Sequence, residues 1–600
     1  MTLKKTFALA PFFLALTCSL FSQEALKSAE EEYYDFLSLQ GLVERPTLGY
    51  RTLSDSEWKF IEKESPILDE DGNPILDENG NPVMEKTLPQ HVWQNNTLGK
   101  KRTLWQSNSK GSNWFTKGFD HSIKFKAYGP EWYNSFNTAA PYGQNDVALW
   151  QGKGYNTSLT GGARLEGYGF ELTVKPQVCF SQNLGFKLMD NSAYYTNKYA
   201  YIWGYGKDKG VDAPQRFGDS SFWTYDWGDT EARWTWHTFT AGFGTQSIWL
   251  GPAWLNPLLH SNNAATYPKF DIGLRKTEIF MPFFGWDLGA IEARLWIGRT
   301  TESDYFDNDS SNDHNQITGI TFSYAPSFLP GLTLGVNKIC MSKWDTNKAI
   351  KYLNPLYDVN DDEDQKFSFI ADWIFPKVGF EVYGELGVDD YFVGWHTDYR
   401  TESLIRNPFH TMTFSVGLKK SVTLSKRKNI YGKIIFEWNT TEMSQDFQFE
   451  WPYNFGFHHI TTQGYTNKGQ WLGSGIGYGG NSQILAFDIF YQKGDTLFFI
   501  WRNNPDNNYI YSKTLYTSAN SDEGKALYQK YYVAYKANFN IGIVTNYFVT
   551  KNLKLNGGFV YNLIMNSQYN PSKIKETSFY TVVPDKIHNF QIQLGAKYYF

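Results

Sequence analysis

Carboxylates are the side chains of this sequence best placed to do chemistry. Glu381 and Glu385 fall on one face of an extended segment, and paired acids are the machinery of glycosidic hydrolysis. On a strand lining a water-filled lumen, the same pair is wall charge. His458 and His459 are adjacent, so on a strand they point to opposite faces and cannot share a metal without a bend; they read as a loop or strand-end feature. Pro66 to Val83, PILDEDGNPILDENGNPV, repeats about every eight residues and is rich in calcium-type ligands. In an EF-hand loop, however, the glycine follows three alternating ligands, whereas Gly72 directly follows Asp71. A solvated insertion with turns at Asp71-Gly72 and Asn79-Gly80 is expected instead. Thr301 to Asn315, Asn354 to Gln365 and Asn503 to Lys525 read as long polar loops, and the two acidic ones fit either a divalent ion or plain solvation. The serine-elbow, zinc-protease, phosphate-loop and dinucleotide signatures are missing, so the expectation is no enzyme, no catalytic residues, no metal and no cofactor.

The elements that must position any site are strands. Asn589 to Phe600, NFQIQLGAKYYF, sets Phe590, Ile592, Leu594, Ala596, Tyr598 and Phe600 on one face and Asn589, Gln591, Gln593 and Lys597 on the other. A two-faced strand of that length is what a membrane-spanning barrel uses. The alternation recurs from about Phe119 onward. Ile291, Ala293, Leu295 and Ile297 oppose Glu292 and Arg294; Phe380, Val382 and Leu386 oppose Glu381 and Glu385; Tyr531, Val533, Tyr535, Phe539 and Ile541 oppose Lys536, Asn538 and Asn540. Charges confined to one face imply a wet interior. A soluble sandwich alternates too, but with shorter strands and its polar face outward. The predicted fold is all-β, a large transmembrane antiparallel barrel. At roughly 25–30 residues per strand with its turn, it has about 16 to 20 strands, an even number, with the last strand closing on the first near Ile123.

Composition agrees. The chain has 600 residues, a net charge of -5, and 22 Trp, 40 Tyr and 46 Phe, the residues of interfacial girdles and of sugar-stacking surfaces. Mean hydropathy is -0.47, and no long apolar run follows the N-terminal region, so membrane helices are not expected. Its basic runs, Lys100 to Arg102 and Lys426 to Lys428, are too short to track phosphates, which argues against nucleic acid.

Lys4 and Lys5, the apolar Phe7 to Leu16, and Thr17 to Ser22 make a secretory signal over residues 1–22, cut near Ser22 and Gln23. Cys18 follows a poor lipoprotein box, leaving Cys179 and Cys340, which are expected as packed or lipid-facing thiols. Residues 23–118 form a helical and irregular region carrying the repeat. Its helix is capped by Ser28 and presents Tyr33, Phe36, Leu37 and Leu39 on an apolar face. The barrel occupies 119–600.

Two segments are not generic barrel sequence: Tyr133 to Gly162 and Gln246 to Lys276. The first holds Tyr142-Gly-x-Asn145-Asp146 and Trp150-x-Gly152-x-Gly154; the second holds Trp249-x-Gly251-Pro252, Ser261-Asn262-Asn263-Ala264 and Pro268. These motifs, with ITGITFSYAPSFLPGLTLGVNK at Ile317 to Lys338, resemble the Wzi family of capsule-assembly proteins. The resemblance runs loosely from about residue 30 to the last strand and excludes the repeat.

It implies an outer-membrane barrel of about eighteen strands in a diderm bacterium, with a helical element on the periplasmic side. It also implies lectin-like attachment of capsular or surface polysaccharide. Trp249 and Trp254 would stack on sugar faces, and Asn262 and Asn263 would bond hydroxyls. The alternative places the tryptophans in an interfacial girdle and the asparagines in a turn. Phe600 looks like the terminal aromatic read by barrel-assembly machinery. The rival functions are a porin for small solutes and an outer-membrane enzyme acting on glycan or lipid.

Overall fold

The computed structural model describes residues 21–23, 28–67, 74–76, 80, 82–96, 103–107, 122–204, 206–307, 309–345, 348, 351–352, 354, 363–389, 409, 411–444, 454–513, 522–576 and 581–600. The signal segment up to residue 20, Cys18 and much of the repeat lie outside the described residues.

Eighteen antiparallel strands close into one barrel. They are β1 (Lys124–Asn137), β2 (Gly154–Gly167), β3 (Phe170–Val174 continued by Gln177–Ser181), β4 (Phe222–Asp226 continued by Glu231–Trp236), β5 (Phe239–Gly244) and β6 (Lys269–Phe280). There follow β7 (Asp287–Thr301), β8 (His314–Pro326), β9 (Leu332–Lys343), β10 (Asp364–Phe375), β11 (Phe380–Asp389) and β12 (Met412–Ser425). The last are β13 (Ile430–Thr440), β14 (Asn481–Tyr491), β15 (Gly494–Asn504), β16 (Ala537–Phe548), β17 (Leu553–Met565) and β18 (Lys586–Tyr598). The expected closure holds: β18 pairs with β1 from Gln591 opposite Asn137 to Lys597 opposite Glu131. A short strand, Thr103–Gln106, pairs with β1 at Lys124 to Lys126, beside the same seam.

Outward positions carry the apolar residues. Leu485, Ile500, Ile541, Phe559, Ile592 and Leu594 are exposed, whereas Asn540, Asn562, Asn589 and Gln591 between them are buried. The barrel thus turns its greasy face outward, as a transmembrane barrel does. Tight turns such as Gln492-Lys493 join strands at one end, and long connections such as 138–153, 182–221 and 245–268 join them at the other. Among the described residues no helix is long and apolar enough to cross a membrane.

Two expectations need correction. The interior is not a wet lumen but is packed with protein. Tyr531 to Tyr535 are not strand: α3 (Asp522–Tyr531) occupies part of that run, and β16 starts only at Ala537. Apolar residues here pack in the loop assembly around Ile510 and Tyr569 rather than face lipid, so alternation over a few aromatics misled. A five-residue helix, α2 (Asn508–Ser512), lies within the stretch expected to be loop.

The filling begins with α1 (Ala29–Leu39), capped as expected by Ser28 Oγ accepting from Glu31 N at 3.1 Å. It sits inside the tight-turn end. Its apolar face stacks Phe36 on Phe490 (4.5 Å) and Tyr33 on Trp93 (4.1 Å), and Trp93 Nε1 donates to the carbonyls of Tyr491 and Gly494. Its other face is acidic and meets lysines of the wall. Glu30 reaches Lys554 (3.0 Å) and Lys597 (3.2 Å), Glu32 reaches Lys433 (2.7 Å), and Asp35 reaches Lys419 (3.2 Å). Unpaired, these wall lysines would be costly in a dry interior, and the helix supplies their counterions.

Candidate functional site

Lumen carboxylates hold the rest of the filling. Glu292 accepts backbone N–H groups of Leu48, Gly49 and Tyr50 at 2.7–3.1 Å. Glu437 accepts those of Trp254 (2.6 Å) and Asn256 (2.9 Å), and Glu385 accepts that of Leu258 (2.9 Å). Glu381 binds Arg45 (2.6 Å) and Lys419 (3.1 Å). The paired acids of the sequence are therefore anchors of the filling, Glu385 through inserted backbone and Glu381 through the Arg45 side chain, not free wall charge. Asp55 similarly ties the early segment to Arg275 (2.9 Å) and Arg294 (3.1 Å).

The connection between β5 and β6 folds inward. Trp249-Leu250 pairs with Tyr50-Arg51, and the backbone of Gly251 passes so close to the wall that a Cβ there would lie 3.3 Å from Ile370. Gly251 also has φ +79°, which a side chain disfavours. These two facts account for the glycine of the Trp-x-Gly-Pro motif.

The four expected sugar contacts are all interior. Trp249 is 0% exposed and donates to Ala253 O (3.1 Å); Trp254 is 9% exposed and donates to both carboxylate oxygens of Glu32 (2.9 Å). Asn263 accepts from Asn145 N (3.1 Å) and donates to Trp471 O (3.0 Å), and Asn262 O accepts from Val147 N (2.9 Å). The two distinctive segments are thus brought together, Asn145–Val147 against Asn262–Asn263. No interfacial girdle includes these tryptophans. Of the four, Trp254 lines both cavities described next, Trp249 lines one, and Asn262 and Asn263 line neither.

One cavity, of about 380 Å³, lies toward the tight-turn end among Arg45, Arg51, Lys419, Trp58 and Trp249. The larger, of about 690 Å³, runs along the inner wall of β14 to β18 and β1 and reaches residues of the long connections, among them Lys187 and Gln568. Asn538, Asn540, Asn562, Gln591 and Gln593 of the wall line it, with Trp501, Trp254 and Tyr142 supplying aromatic surface. The two cavities share Glu32 and Trp254. Sequence reasoning missed this wall, although its signal is legible: inward positions of β16 to β18 are rich in Asn and Gln, while those of β6, β7 and β10 to β12 carry Asp, Glu, Lys and Arg.

In the connections, Asp146 accepts from Gln151 Nε2 (2.7 Å), and Asp506 accepts from Tyr201 Oη (2.6 Å) and Trp203 Nε1 (2.7 Å). Burial pushes each carboxyl up to about 7, against the smaller lowering by these hydrogen bonds. Cys179 and Cys340 are buried thiols and are not joined by a disulfide. His458 lies in a loop, where its Nδ1 accepts from Ile460 N and Thr461 N. Among the described residues no group of three or more His, Cys, Asp or Glu is arranged to hold a metal ion.

Fold and interior together define a class: an eighteen-stranded transmembrane-type barrel whose lumen is filled by its own early segment and inward-folded connections. No family model matches the chain, and no curated protein matches it. Among solved structures it is similar to Wzi, an outer-membrane protein involved in group 1 capsule assembly in Escherichia coli and a carbohydrate-binding β-barrel. That likeness has 12% identity and TM-score 0.49, over 79% of this chain and 85% of that one. It is also similar to OprB of Pseudomonas putida (11% identity, TM-score 0.33, 81% and 94% covered) and to OccK2 (OpdF) of Pseudomonas aeruginosa (10%, 0.35, 79% and 97%).

Proposed function

We propose that this chain is a non-enzymatic barrel of the bacterial outer membrane that binds or anchors capsular or surface polysaccharide. The observation carrying the reading is the amide- and aromatic-lined cavity of about 690 Å³ inside a filled barrel. Saccharides present apolar C–H faces ringed by hydroxyls, so rings for stacking and amides for directed hydrogen bonds suit them. The resemblance of the Tyr142–Gly154 and Trp249–Pro268 motifs to capsule-assembly proteins points the same way. Of the four expected sugar contacts Trp254 contributes to this cavity, together with Tyr142, Asp146 and Trp150 of the earlier motifs; Trp249, Asn262 and Asn263 act by shaping the connection that carries Trp254. The segment over residues 1–22 exports the chain, and Phe600, exposed on the outward face, engages the barrel-assembly machinery. Outer-membrane lipids surround the apolar band.

The test is a strain lacking the chain, with cell-bound and shed polysaccharide measured separately. A shift from bound to shed is expected, and unchanged retention would refute the role.

A second reading is favoured by one observation. The two cavities share Glu32 and Trp254, so a small rearrangement there joins them into a passage. A gated channel predicts rare, large conductance steps from purified protein in liposomes, whereas an anchor predicts a silent membrane.

A further inference from the structure

The inner wall of the barrel is divided by charge, and the division bears on what the larger cavity accepts. On β6, β7 and β10 to β12 many inward side chains are ionic and are consumed by the filling: Arg294 pairs with Asp55 and Asp271, and Glu381 with Arg45 and Lys419. On β8 and β9 between them the inward residues, such as Ile317, Thr321 and Asn337, are uncharged. From β15 to β18 they are largely amides and apolar groups. The lysines there, Lys554 and Lys597, lie near the tight-turn end and are taken by Glu30. The cavity opens onto this amide sector.

The geometry points to an uncharged stretch of glycan, neutral hexose or N-acetylhexosamine units without uronate or phosphate, as the occupant of the larger cavity; this rests on the polysaccharide reading above. Two observations carry it. The first is the charge of the lining. Its carboxylates are Glu32, Asp146, Asp488 and Asp506, its cations are Lys187 and Lys536, and it contains no arginine among the described residues. Lys187 lies in the 182–221 connection and Lys536 immediately before β16, so both cations stand at the long-connection end of the amide wall. A uronate held against Asn562, Gln591 and Gln593 would lose its hydration and face a lining in which carboxylates outnumber cations four to two.

The second observation is the kind of hydrogen-bonding capacity left over. Trp501 Nε1 is a buried donor without a partner among the described residues, and Gln144 Nε2 and Trp150 Nε1 are others. Asn538 Oδ1 and Asn562 Oδ1 are buried acceptors in the same condition. All five side chains line the cavity. Leaving such groups unmet is costly, and a hydroxyl or acetamido group can both give and accept a hydrogen bond. A carboxylate or phosphate group accepts only, so set against the two asparagine oxygens in place of a hydroxyl or acetamido group it leaves them unmet.

The test uses the full chain in detergent micelles, with binding followed by titration calorimetry. The probes are maltohexaose and chitohexaose as neutral chains and hexagalacturonate as the acidic one. At least one neutral probe is expected to bind at least about tenfold more tightly than hexagalacturonate. Gln593→Lys, which adds a cation to the wall, is expected to narrow or reverse that ratio, and Trp501→Leu to weaken the neutral probe about tenfold. Heat-dependent gel migration checks that each variant is folded. Should hexagalacturonate bind the native protein as tightly as the neutral chains, the inference fails while the polysaccharide reading stands. Binding of none of the three overturns both. A neutral preference untouched by folded Gln593→Lys would place the site elsewhere and also overturns the inference.

Discussion

Arg45 shows what single residues do in this molecule. Its guanidinium joins Asp35 (2.6 Å), Asp372 (2.8 Å) and Glu381 (2.6 Å), and Glu381 is 0% exposed. Arg45→Met leaves these three acids with only Lys419 and Lys433 as cations, a loss of about 3–5 kcal/mol for a broken buried pair. The expected outcome is a lower temperature for conversion of the compact gel species to the unfolded one. Asp146 makes a prediction of opposite character. Its folded pKa, about 7, lies above the ordinary 3.8, so the folded state keeps its proton longer than the unfolded one. Stability from this group is therefore complete below about pH 4 and declines as pH rises to about 7. Thermal midpoints compared from pH 4 to 8 should fall less in Asp146→Asn than in the native chain; identical slopes would contradict the assignment. Such partnerships are hard to read from sequence. Glu381 and Glu385 were legible as inward by alternation, but their partners Arg45 and Leu258 come from distant segments, and no local pattern announces them.

Elements were legible in proportion to their periodicity. The strand around Glu292, the pair flanking the Pro330-Gly331 turn and the Ser28-capped helix all follow from spacing, because two-residue and helical periods are local properties. Inward folding of the 245–268 connection was not, since a buried loop satisfies its backbone through carboxylates of other strands. Two elements meet at the partition between the cavities: α1 gives Glu32 and the connection gives Trp254. Trp254→Ala removes the ring and Glu32→Gln weakens its hold on Lys433. The double variant is expected to conduct in planar bilayers where the native chain is silent, and an equally silent double variant would show that other groups block the path.

At the scale of the whole molecule, closure by β18 on β1 leaves the main sheet without a free edge. The protein should consequently run at a different position on a denaturing gel before and after boiling, and heat-independent migration would count against a stable closed barrel. Even strand number and the final pairing were accessible from the sequence, through strand spacing and the two faces of Asn589 to Phe600. The filled lumen was not, because alternation reports which side chains point inward but not what awaits them there.

Glu30 has a consequence in time. It sits early in the chain, yet binds Lys554 of β17 and Lys597 of β18, the last two strands to be made. α1 ends up enclosed by the wall, joined through Glu30 to the two strands beside the seam. If those pairs form while the barrel closes, Glu30 favours closure on a filled interior. Pulse-labelled Glu30→Gln should reach the heat-resistant form more slowly than the native chain.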